Sequence, residues 1–426
     1  MDQPGPRVRR LGETRAGEMR ITRWLRNRSV TVEEISQHAA EATRGRAAGR
    51  HVVAIQDRTE LALRDRKSRG EYGALGNGHS FGLSLHPVLA VEAGTGGLLG
   101  LVSVAIWNRR GKVKAHRGRA TAEKESQRWI DGTLRAGEVL AQAASVTMVS
   151  DRESDFYELL ARRPENVQLI VRACQNRKIE VADKQFAKLF GVIDSQAEQG
   201  RYGVTIPAAP GRSARDTELA LRFASVSVCR PLHGADPGLP KTLALTLVDV
   251  RETTQPANGK AVHWRLLTSH SVQNIEQARG VVDLYRQRWG IEEFFRTLKT
   301  AGFDLEAAEI DDPQAMARFA AAATVAAVTV RQLVQARDGT TDQTIGAALE
   351  PDDQPILEAV SAKLEGKTQR QRNPHRKGSL AFAAWVMARL GGWTGYYGKP
   401  GPKVIRIGFA RFQAIAFGAK LRLQDV

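Results

Sequence analysis

Tyr285, Arg288, Glu292 and Lys299, four side chains in one short stretch of this 426-residue chain, could handle phosphate, metal or protons. Read as one helix turning about 100° per residue, the run from Tyr285 to Lys299 gathers them within an arc of roughly 60°. Ile291, Phe294, Phe295 and Leu298 fall on the adjoining arc and supply a stripe for burial. One carboxylate framed by two cations and a phenol suits a site that holds an anion; an ion-paired amphipathic helix is the competing reading. Two more carboxylates, Asp57 and Asp151, each follow a short apolar run, Val52 to Ile55 and Val146 to Val149. A strand-end turn is the ordinary use of either aspartate. Taken together the three acids predict a pocket. Opposed side chains on neighbouring strands stand about 5 Å apart, so two such strand ends crossed by a carboxylate-bearing helix would suffer mutual repulsion. Divalent cations relieve it. Two Mg²⁺ ions about 3.5–4 Å apart can activate a water or 3′-hydroxyl and steady the leaving oxygen of a phosphodiester.

The elements that must position these residues read as mixed α/β. A helix is predicted from Thr31 to Arg44, capped by Thr31, with Glu33 and Glu34 in its first turn. Strands are predicted from His51 to Asp57, from Val146 to Asp151 and from Val167 to Arg172, with a hairpin of Ser80 to Glu92 and Gly97 to Trp107. A short helix is expected over Asp155 to Arg162. Residues 176–263 read as a β-rich insertion, and Asp312-Pro313 opens an Ala-rich helix running to about Arg337. Residues 338–380 read as loop-rich, with the basic run Lys367 to Lys377 as a solvated loop. Trp385 to Leu390 falls in a last helix, broken by Gly391-Gly392. The domain expectation is a basic lead-in (1–50), a core (51–310) and a mainly helical C-terminal region (311–426).

Composition narrows the partner. With 63 Lys and Arg against 46 Asp and Glu, the formal charge of +17 suits a folded protein that meets a polyanion. A membrane surface is the rival, but the apolar run from Phe319 to Val330 is bracketed by Arg318 and Arg331 and is too short to cross. No charged-then-apolar leader opens the sequence. Cys174 and Cys229 make neither a disulfide framework nor a zinc site. The expectation is a reduced, cytoplasmic protein, at the bacterial nucleoid, that binds nucleic acid and no membrane.

At these residues the chain resembles a known family. Tyr285-x2-Arg288-x3-Glu292-x6-Lys299 resembles the Tyr-Arg-Glu-Lys signature of the insertion sequence 4 family of bacterial DDE transposases, which cut and paste DNA. Val149-Ser150-Asp151-Arg152-Glu153-Ser154-Asp155 is similar to that family's second-aspartate motif, and Ala54-Ile55-Gln56-Asp57-Arg58-Thr59 to its first-aspartate strand. The resemblance implies an RNase H-like catalytic core with a β insertion between the second aspartate and the glutamate. It implies that Asp57, Asp151 and Glu292 bind two Mg²⁺ ions, for which Mn²⁺ can substitute, while Tyr285, Arg288 and Lys299 hold phosphates in line. It also implies double-stranded DNA as partner, both transposon ends and target, with a homodimer in the synaptic complex and a DNA hairpin as intermediate.

Further roles carry over by position. Trp264 stands where these transposases place an aromatic on a flipped base, although without the resemblance a core tryptophan beside Leu266 and Leu267 is the favoured reading. Arg172 matches an arginine on DNA phosphate. Lys124, in Glu123-Lys124-Glu125-Ser126, matches a stretch near the bound end, where a solvated helix start competes. Two features depart from the family: the lead-in over 1–50 is a short remnant of the usual DNA-recognition region, and Arg58 follows the first aspartate where Thr is usual. Two alternatives stand beside an active transposase, namely a non-catalytic DNA-binding regulator of a longer copy and an RNase H-like nuclease.

Overall fold

Val52, Val53, Ala54 and Ile55 are all shielded from solvent, so strand His51–Gln56 is covered on both faces, as parallel strands usually are. It pairs in parallel with Ser145–Ser150, which pairs in parallel with Val167–Arg172. The sheet then turns antiparallel through His263–Thr268, Thr242–Glu252 and Arg215–Cys229 to Lys178–Ala182 and Gln185–Lys188, with Gly200–Ile206 also on Arg215–Cys229. The β-rich reading of 176–263 agrees with these strands. The computed structural model describes residues 7–63, 71–109, 121–206, 214–233, 235–256 and 259–424. They fall into two units: one of Gly49–Asp57 with Val113–Trp289, the other of Met1–Ala48, Arg58–Lys112 and Gly290–Val426. The fold class is mixed α/β.

In the first unit the parallel strands are covered by helix Gln127–Val139, whose buried face carries Trp129, Ile130, Ala136 and Val139. Gln56, fully buried at the end of its strand, donates from Nε2 to Thr133 Oγ1 of this helix at 3.1 Å. Helix Ile275–Arg286 starts on Asn274, whose side chain accepts from Gln277 N, and buries Ala278, Val281, Val282 and Tyr285.

The second unit contains the expected hairpin, Phe81–Glu92 with Leu98–Trp107. Helix Val32–Ala47 lies on it. Thr31 caps it as its sequence suggested, and Glu34 completes a reciprocal cap, while Thr43 Oγ1 donates to Leu101 O at 2.8 Å. Helix Pro313–Ala336, capped by Asp312, anchors the same strands through Gln332 Nε2, which donates to Leu98 O and Leu99 O. This helix is longer than the apolar run read from sequence. Among the described residues it is the one long and apolar enough to cross a membrane, and 67% of its apolar window is buried inside the protein. Helices Arg15–Arg26, Gln354–Leu364 and Pro402–Gln424 are among those not read from the sequence. The second lies in the segment read as loop; the third is apolar on several sides, without a clean period.

Helices Leu380–Leu390 and Pro402–Gln424 cross closely at Gly408, where a Cβ would stand 1.6 Å from Met387 O. Gly408→Ala must therefore separate the helices or distort one. The expected cost is about 1–3 kcal/mol, read as a lower denaturant midpoint; an unchanged midpoint would contradict this packing.

Candidate active site

The parallel pairing keeps one register from His51↔Ser145 to Ile55↔Val149, and two residues further along each chain stand Asp57 and Asp151. The two acids therefore leave adjacent strand ends at the same level. Asp57 is 8% exposed. Its Oδ2 accepts from Arg288 Nη1 at 2.9 Å, in a pair whose side chains are 11% and 12% exposed for Arg and Asp. Asp151 caps the short turn Arg152–Ser154: its Oδ1 accepts from Glu153 N at 2.8 Å, and its carbonyl accepts from Ser154 Oγ at 2.7 Å.

Arg288 links Asp57 to a second group. Burial pushes the Tyr285 phenol above its ordinary value, while the neighbouring Arg288 and Arg172 guanidiniums pull the other way and Asp151 adds to the upward push. Arg172 ends strand Val167–Arg172 and donates from Nη2 to His263 O at 3.2 Å. Burial lowers its own value, and Tyr285 opposes this. Trp264 is half-buried, its ring edge-on to Tyr285 with centroids 5.4 Å apart and planes at 65°. Asp57, Asp151, Arg172, Trp264, Tyr285 and Arg288 are thus gathered in one unit. Lys124 lies in the same unit, on the wall of a cleft of about 410 Å³ that also has Thr121, Arg152 and Arg177 in its lining.

The continuous helix expected from Tyr285 to Lys299 does not form. Helix Ile275–Arg286 ends where Gln287 N reaches the Leu284 and Tyr285 carbonyls and Arg288 N bonds Tyr285 O at 3.0 Å. A new helix, Trp289–Arg296, follows and passes into a π turn over Thr297–Ala301. Tightened bonds at one end and a widened turn at the other depart from the regular step of about 100° that a single helix would keep. Tyr285 is buried instead of sharing an open face, Glu292 is exposed in the first turn of the second helix, and Lys299 is half-buried with Nζ 3.9 Å from Glu306 Oε1. Arg58 turns to Glu60, which Arg109 also meets.

Sequence reasoning missed a clamp behind Asp151. The Asp155 carboxylate is wholly buried and accepts from Cys174 N at 2.7 Å, Gln175 N at 2.8 Å and Arg177 Nη2 at 2.6 Å. It ties the turn that carries Asp151 to the loop that leaves Arg172. Asp155 stood in the quoted motif, but nothing in the spacing singled out Arg177.

Hard carboxylate oxygens at adjoining strand ends are the donor type that Mg²⁺ and Mn²⁺ prefer, so Asp57 and Asp151 fit such an ion. Among the described residues, no group of three His, Cys, Asp or Glu side chains is gathered for metal as placed. Acids at paired strand ends, with two guanidiniums and a phenol beside them, define a site suited to phosphate-ester chemistry as a class. Residues 108–328, slightly more than half of the chain, match the transposase DDE domain family, and the chain belongs to that family. It is a DDE transposase, whose partner is DNA. The match includes all the candidate site residues except Asp57, which rests on the strand register and its pair with Arg288.

Two predictions follow from burial here. Arg177→Leu leaves Asp155 charged and without its guanidinium in the interior, at a cost of about 3–5 kcal/mol; in urea unfolding, a loss below about 1 kcal/mol would refute the clamp. The raised Tyr285 value means that its contribution to stability is complete below the ordinary tyrosine value near 10 and is lost as pH rises through the higher folded one. In a near-ultraviolet titration, the phenolate step absent from Tyr285→Phe should lie above that ordinary value. A step at or below it would contradict the burial.

Proposed function

We propose that this chain is a cut-and-paste transposase of the insertion sequence 4 type, cleaving and joining DNA at the ends of its element. The observation that carries the reading is the strand register that sets Asp57 level with Asp151, beside Arg288. In this reading Asp57 and Asp151, joined by Glu292, hold two divalent ions, Mg²⁺ or in its place Mn²⁺. When bound, the ions supply Lewis-acid activation of the attacking oxygen and stabilise the departing one.

The remaining work belongs to side chains of the chain itself. Arg288 exchanges its Asp57 partner for phosphate oxygens, which its planar fork can hold bidentately, while Lys299 adds a point charge. Tyr285, kept protonated by burial, donates its hydroxyl to a phosphate oxygen. Arg172 and Lys124 fix the backbone of the bound end, and Trp264 offers its free face to an unstacked base. Water attacks the end phosphodiester, its oxygen joining phosphorus as the 3′-oxygen leaves and takes a proton. The freed 3′-hydroxyl attacks the opposite-strand phosphodiester, expelling the flanking 3′-oxygen and closing a hairpin; a second water opens it and releases the 3′-hydroxyl again, and the 3′-hydroxyls then join target phosphorus as target 3′-oxygens leave. The RNase H-like core spans 51–310, with its β insertion near 176–263. The lead-in over 1–50 contributes to end recognition, and 311–426 to pairing two protomers across two ends.

A supercoiled plasmid carrying candidate terminal repeats, incubated with the protein and Mg²⁺, tests this reading. Glu292→Gln should lower strand release by about 10³-fold or more with DNA affinity unchanged. Release at the wild-type rate from that variant would overturn the assignment.

A further inference from the structure

In the C-terminal part of the second unit, the loops that follow helices Gln354–Leu364 and Leu380–Leu390 frame a pocket of about 570 Å³ in which none of the candidate active-site residues takes part. Its lining includes two indoles, Trp385 and Trp393, and four cations, Arg337, Arg370, Arg372 and Lys399, against one acid, Asp338. That acid is already engaged: Lys399 Nζ lies 2.9 Å and Arg337 Nε 3.9 Å from its Oδ2. Arg370 and Arg372 are exposed and have no side-chain hydrogen bond or ion pair among the described residues. The surplus charge at the mouth is therefore positive.

The walls are held in place from several directions. Trp393 Nε1 donates to Gly398 O at 3.0 Å and Tyr397 O at 3.2 Å. Arg389 donates from Nη1 to Thr394 O at 2.7 Å and from Nη2 to Leu364 O at 3.2 Å, binding one loop to the other. The Thr368 and Tyr396 hydroxyls meet at 3.0 Å. Gly395 has φ +90°, and a Cβ there would lie 2.8 Å from Arg370 O, so only glycine lets the loops approach this closely.

We propose that this pocket binds a DNA strand, with a phosphate between Arg370 and Arg372 and the attached base against the indole of Trp393. Two guanidiniums without acid partners are suited to a phosphodiester. A flat aromatic wall beside them is suited to an unpaired base, because stacking needs no particular sequence. The partner follows from the family, and the pocket does not depend on the metal-binding carboxylates. The positive surplus would also attract an acidic peptide, but its carboxylates have no flat face for the indole wall; a nucleotide uses both features.

Fluorescence anisotropy of a labelled single strand and of its duplex, titrated with the full chain at stepped salt, provides the test. R370E/R372E is compared with wild type and with K363E/K403E, which makes the same charge change outside the pocket. Expected for R370E/R372E is a loss of about tenfold or more for the single strand, larger than for the duplex. The slope of log affinity against log salt should fall by about 0.7, for the one phosphate lost from a single strand; K363E/K403E should change neither. Equal losses in both variants, no loss in R370E/R372E, or a loss confined to duplex would each overturn the proposal. A wild-type chain that binds no DNA would sink the functional reading as well, whereas an unaffected R370E/R372E beside a DNA-binding wild type would sink the pocket alone.

Discussion

A parallel ladder running from His51↔Ser145 to Ile55↔Val149 dictates where the next acids on both strands must stand. A slip of one residue would send every side chain of one strand to the opposite face, parting Asp57 from Asp151. The slip is opposed on all sides. Four consecutive residues of the Asp57 strand are buried on both faces, and Gln56 is fastened to Thr133 of the covering helix. The position of Asp57 is thus a consequence of packing in the strand that precedes it, which is why it can be placed although it lies outside residues 108–328.

Placing two carboxylates together creates a demand for positive charge. Within this unit Arg288 meets it at Asp57, and Arg172 with Arg288 flanks the phenol of Tyr285. The same guanidiniums suit phosphate oxygens, so a protein that balances its own acids in this way is also prepared for a nucleic-acid backbone. Asp155 plays a different part. It is buried with Arg177 and two backbone N–H groups, and it fixes the turn on which Asp151 sits.

Much of this was legible in the sequence because it is local. Apolar runs ending in aspartate became strands with acids at their ends, and Thr31 with Glu34, or Asp312 before Pro313, became caps. The helix over residues 285–299 failed because a hydrophobic period reports which side chains are buried, not whether one turn between them is tightened. Ile291, Phe294, Phe295 and Leu298 are buried as expected, yet the phase is broken at Gln287 and again at Thr297. Helix Pro402–Gln424 escaped notice because apolar and polar residues alternate around it without a clean stripe. The contacts of Asp155 with Cys174, Gln175 and Arg177, and the edge-on approach of Trp264 to Tyr285, are products of folding between distant segments. No spacing along the chain encodes them.

The central claim is that Asp57 and Asp151 serve one cation site. Calorimetric titration of the purified chain with Mn²⁺, without DNA, should show binding that is lost in Asp57→Asn and lost equally in Asp151→Asn, with both variants still folded by circular dichroism. Undiminished Mn²⁺ binding after either substitution would contradict it.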